Sequence, residues 1–154
     1  MKRTTVVLTS ILFAALLSSR GGHAETFDDA AAVLGDHSIL ICFSHLVSRS
    51  FSGFVTSESA AFLVMQADGT IGCLDWPSTH DFKEARWSGP LPDRVVAMAH
   101  THPLSSPQPS IDDVKVATRM RLPSFVLTPN MITVIHPDGR VQILTYRTWM
   151  VRHR

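Results

Sequence analysis

The chain has 154 residues, 45% hydrophobic and 18% charged, with 14 Lys and Arg against 13 Asp and Glu. That supplies apolar material for one core, and the near-neutral balance argues against general binding to nucleic acid or to an anionic membrane. There is no internal repeat and no low-complexity run, so the chain reads as a single small globular domain.

Lys2 and Arg3 give the N-terminus a positive start, and residues 6–17 (VVLTSILFAALL) form an apolar stretch too short to span a bilayer comfortably. Gly22-His23-Ala24 follows with the small residues a signal peptidase needs. This reads as a secretory signal cleaved after Ala24, leaving residues 25–154 as the domain, bacterial and periplasmic or secreted. An uncleaved anchor is the alternative. No Cys follows the apolar run, which argues against a lipoprotein. Cleavage removes Lys2, Arg3 and Arg20, so basic residues fall from 14 to 11 against 13 acidic ones. No stable membrane insertion is expected afterwards.

Asp28 and Asp29 precede an alanine-rich run that Gly35 would stop, which predicts a helix. Residues 38–47 predict a second helix burying Leu40, Ile41 and Phe43, although the β-branched Ile39 and Ile41 leave a strand open. His37 and His45, each beside an apolar run, read as structural. Cys42 and Cys73 are the only cysteines. In an oxidising compartment they predict a disulfide from the N-terminal helical region to the first hairpin; the alternative is two separate buried thiols. Neither has metal-ligand spacing.

Residues 60–65 and 70–74 predict a hairpin turning at Asp68-Gly69. Glu58 precedes the first of these strands. If residues 95–100 form the neighbouring strand, Glu58 comes within reach of its end; otherwise it is a solvated strand-end carboxylate. Glu84, in the next loop, is its rival. Residues 76–94 form a long polar connection holding Trp76, His80 and Trp87. It either lines a substrate groove or covers the core, pinned by its two tryptophans.

Residues 95–99 (VVAMA) are an apolar run of buried-strand character that breaks into His100-Thr101-His102-Pro103. Side chains two apart on a strand share a face, so His100 and His102 can reach one point. Pro103 lacks an N–H and ends the ladder. After a loop of small residues, Ser110 and Asp113 open a predicted helix over residues 109–122, with Val114, Ala117 and Met120 on one face. Two imidazoles and a carboxylate can converge as three ligands of one zinc ion, leaving the fourth position that a catalytic site keeps open. Ser110-x-x-Asp113 also fits a helix capping box, with Asp112 and Asp113 suiting the helix dipole. Both roles can hold at once. A closed structural zinc would need a fourth protein ligand, for which His80 and His136 are the candidates. Residues 124–127 predict a strand, and residues 131–136 and 140–144 a second hairpin turning at Pro137-Asp138-Gly139. The resulting order predicts an α+β domain with a mixed, mostly antiparallel sheet flanked by helices.

His100-x-His102-Pro103 followed by Ser110-x-x-Asp113 resembles the H-x-H-x(7)-S-x-x-D signature of the JAMM (MPN+) metalloproteases. The surrounding layout is most similar to a bacterial JAMM-like branch, the DUF4329 type, and the resemblance spans roughly residues 51–146. It implies the MPN fold, a cytidine-deaminase-like arrangement. It also implies one zinc per chain on His100, His102 and Asp113, Glu58 as general base, Ser110 as oxyanion donor, and a peptide or protein substrate. The expected function is hydrolysis of an amide bond by an exported zinc metallopeptidase or isopeptidase. A noncatalytic MPN-fold binding module or a toxin-associated accessory protein is the alternative. The spacing alone supports a hydrolytic metal site.

Overall fold

A computed structural model describes residues 35–50, 57–79, 84–102 and 106–145. The expected signal segment, the alanine-rich helix before Gly35, and His80 lie outside them. The first helix, α1, is His37–Ser50. The Asp36 carboxylate opens it, accepting the N–H groups of Ser38 at 2.9 Å and Ile39 at 3.2 Å. Ile39, Cys42, Phe43, Leu46 and Val47 are buried at helical spacing, which decides helix over strand. Ile41, expected in the core, falls on the outer side of that helix and is exposed.

The strands are β1 Ala60–Met65, β2 Ile71–Asp75, β3 Val95–Thr101, β4 Ser124–Thr128, β5 Met131–Ile135 and β6 Val141–Thr145. A second helix, α2 (Ile111–Met120), joins β3 to β4. The six strands form one sheet in the order β2-β1-β3-β4-β5-β6. Only β3 and β4 pair parallel, as a crossover through a helix requires. The architecture is the α+β arrangement expected, with a mostly antiparallel sheet. Gly69 and Gly139 both hold φ of 87° at the hairpin turns, where a side chain would be strained.

The two helices lie on opposite faces of the sheet. On one, α1 packs on Ala61, Leu63, Ala97, Ala99, Phe125, Leu127, Ile132 and Val134. On the other, α2 sets Ala117 and Val114 against Val126 and Ile135. Cys42 and Cys73 form a disulfide with Cα atoms 5.8 Å apart, tying α1 to edge strand β2. Among the described residues no helix is long and apolar enough to cross a membrane.

Candidate metal centre

The site begins where β3 runs out. Ala60 of β1 pairs with His100 of β3, and the Thr101 N–H donates to the Ser59 carbonyl at 2.9 Å. Continuing this antiparallel register sets Glu58 opposite His102. Alternation then places the side chains of Glu58, Ala60, His100 and His102 on the α2 face, and those of Ser59 and Thr101 on the α1 face. β4 holds β3 from the other side, and the His102 N–H donates to the Leu127 carbonyl at 2.9 Å.

Asp113 arrives from the first turn of α2. Ser110 is the N-cap, and the capping box is complete. The Ser110 Oγ accepts the Asp113 N–H at 3.1 Å, and the Asp113 carboxylate accepts the Ser110 N–H at 2.7 Å. The cap orients the carboxylate toward the histidines, so capping and ligand geometry coexist.

The ligand atoms converge. His100 Nε2 and His102 Nε2 are 3.2 Å apart. His100 Nε2 lies 3.3 Å from one oxygen of Asp113, and His102 Nε2 lies 3.5 Å from the other. The two imidazole nitrogens stand close to the roughly 3.3–3.4 Å that separates tetrahedral ligands at metal distances of about 2.0–2.1 Å, and one ligand atom from each of the three residues lies within 4.8 Å of the others. Among the described residues this trio is the group able to hold a metal ion. His102 Nδ1 lies 3.1 Å from the Ser106 carbonyl. A proton on Nδ1 donates there, so Nε2 of the neutral ring presents a lone pair to the centre. Lone pairs of imidazole and carboxylate brought this close call for a positive charge between them, either a proton or a metal ion.

The titration tendencies agree. Burial opposes charge on Asp113, but hydrogen bonds from His100 and His102 outweigh it and hold the carboxyl far below the usual carboxylate range. Burial also disfavours a charged His102, but its bonds with Asp113 and the Ser106 carbonyl prevail and raise its pKa. Glu58 behaves oppositely. Burial pushes its carboxyl up, against the pull of His100 and His102 and of a hydrogen bond from the Ala85 backbone.

Glu58, His100, Ser110 and Asp113 line one cleft of about 650 Å³. Its floor is Ala60, Met98 and Ser124, and Asp112 and Val116 of α2 form one wall. Trp76, Glu84 and Ala85 form the other. Trp76 extends the β1–β2 ladder, donating its N–H to the Ala60 carbonyl at 2.8 Å. Trp76 and Trp87 both pack on Phe62, with ring centroids at 4.9 and 5.2 Å. The described part of the long connection therefore covers Phe62 with its two tryptophans, and Trp76, Glu84 and Ala85 line the cleft. Glu84 is half exposed and ion-paired with Arg86 at 2.7 Å, so it is the weaker candidate base.

Two other histidines among the described residues stand apart. His136 is buried in the second hairpin, with Nε2 at 3.1 Å from the Gln142 side-chain oxygen, and supplies no fourth ligand. His45 pairs with Asp75 at 3.0 Å on the α1 side. The Ser106 carbonyl and the Ala85 N–H, which steady His102 and Glu58, are backbone groups that residue identity does not reveal. No protein-family model matches the chain, and no curated protein does either.

Proposed function

We propose that the protein is an exported zinc-dependent metallopeptidase or isopeptidase of the JAMM type, built on the MPN fold. The observation that carries this reading is the convergence of His100, His102 and Asp113, whose ligand atoms lie within 4.8 Å of one another, beside a cleft that also holds Glu58. Bound there, zinc would act as a Lewis acid and bring the pKa of a water down to about 7. Glu58 takes the proton from the attacking water and returns it to the leaving amine; its raised pKa suits a group that must both accept and release a proton. Ser110 spends an oxygen lone pair on the helix cap and keeps its hydroxyl proton, which donates to the developing oxyanion. One such donor is typically worth about 3–4 kcal/mol. Trp76, Met98 and Val116 give the cleft an apolar lining against which a peptide or protein substrate can pack.

Elemental analysis of the purified protein beside His102→Ala tests the reading. About one zinc per chain, lost in a folded variant, supports it. No zinc after reconstitution would leave Ser110 and Asp113 to the helix cap alone and favour the noncatalytic binding module. The mass of the exported chain tests cleavage after Ala24.

A further inference from the structure

Thr101 sits between the two histidines, and its side chain faces away from them toward α1, 1% exposed. Its Oγ1 accepts the Ser59 N–H at 2.9 Å and meets Ser50 Oγ at 2.5 Å. Ser50, 0% exposed, can donate its hydroxyl to the Leu46 carbonyl at 3.1 Å. Either hydroxyl can donate to the other: with the Ser50 proton on Leu46 the Thr101 proton goes to Ser50, and with the Thr101 proton on the Ser59 carbonyl, 3.4 Å away, the Ser50 proton goes to Thr101. In either case the result is a chain that joins the Ser59 backbone to the Thr101 hydroxyl and, through it, to the Ser50 hydroxyl at the end of α1. The neighbouring layer on this face, Ala61, Ala99, Phe125 and Leu127, is apolar and buried. Hydroxyls beside such a layer are costly unless they are paired, and this pair stands where the sheet meets the metal centre.

The chain fastens three pieces at one point. One is the last turn of α1. Another is the residue after Glu58. The third is the residue between His100 and His102. We propose that Thr101, acting with Ser50, is a positioning residue of the metal centre. Its hydroxyl fixes the backbone that aims both imidazoles and holds the Glu58 segment across from them. This rests on reading His100, His102 and Asp113 as ligands.

Zinc affinity, measured by competition with a chromogenic chelator, tests it on wild type, Thr101→Val, Thr101→Ser and Ser50→Ala. Circular dichroism gives the folded fraction of each. Thr101→Val keeps the shape and loses the hydroxyl, and its affinity should fall about tenfold or more, as when outer partners of metal ligands are removed. Thr101→Ser restores the hydroxyl and should stay within about twofold of wild type. Ser50→Ala, which cuts the chain one link further out, should lose about threefold. A merely structural hydroxyl would lower the melting temperature and leave the affinity of the folded chain alone. Equal affinity in folded Thr101→Val therefore overturns the inference. If that variant does not fold, unchanged affinity in Ser50→Ala overturns it instead. Absence of zinc from the wild type removes the metal reading and this inference together, which is distinct from zinc binding all four chains alike.

Discussion

Asp113→Asn separates the two roles that Ser110 and Asp113 share. The variant keeps the Asp113 backbone N–H that Ser110 caps, and its amide oxygen can still accept the Ser110 N–H, so the helix start survives. What it removes is the negative charge facing His100 and His102 at 3.3 and 3.5 Å. Zinc at a thousandfold excess over its Kd stabilises a folded chain by about 4.1 kcal/mol. For a domain of this size about 3–5 °C per kcal/mol applies, so wild type should gain roughly 12–20 °C in Tm. Asp113→Asn should gain almost nothing. Ser110→Ala provides the opposite control: it loses about 1 kcal/mol of capping, starts roughly 3–5 °C lower, and keeps its zinc response. Differential scanning fluorimetry with and without zinc reads all three. A full zinc shift in Asp113→Asn would show that the carboxylate serves the helix cap and that the ligand assignment is wrong.

Three further outcomes follow from the site and the scaffold. Glu58→Gln should keep its zinc, by elemental analysis, and lose about 10²–10⁴ in peptide hydrolysis; loss of the metal would make Glu58 a ligand instead. The metal-free chain should lose stability as pH rises above about 6.5 in urea titrations, because the raised pKa of His102 contributes below its unfolded value and fades as pH climbs through its folded one. The depressed Asp113 carboxyl contributes above its unfolded value of 3.8, so the metal-free optimum lies between these limits, whereas zinc-loaded protein should gain stability over the same rise because ligand imidazoles must be neutral. Reducing the Cys42–Cys73 disulfide, with a sequence separation of 31, should cost about 3–4 kcal/mol in chemical denaturation while leaving zinc bound.

Much of this architecture is written locally. The Asp68-Gly69 and Asp138-Gly139 turns, the apolar run before His100 and the Ser110 cap each follow from a few adjacent residues, and each stands where those residues imply. Glu58 is legible at one remove, since its reach depends on β1 pairing with β3 in the register that sets Ala60 against His100. α1 shows a competition between signals: β-branched Ile39 and Ile41 favour extended backbone, but burial of Ile39, Cys42, Phe43, Leu46 and Val47 on one stripe outweighs propensity. The disulfide was undecidable because nothing in the spacing of Cys42 and Cys73 says that α1 lies across β2. The Ser50–Thr101 contact joins residues 51 apart in sequence, and no local pattern announces it.

The three candidate ligands lie close together in the chain, at the end of β3 and in the first turn of α2, whereas Glu58 is distant and arrives through the β1–β3 ladder. Closing the short segment costs little chain entropy; recruiting Glu58 needs a long-range pairing. On the proposed function, chelation and reactivity are thus separable in time. A nascent or partly opened chain can gather its imidazoles and carboxylate while lacking the base. On the proposed function, peeling β1 from β3 would remove Glu58 and also the Ser59–Thr101 bonds that steady the imidazoles, so a half-folded copy would hold metal more weakly and would not hydrolyse.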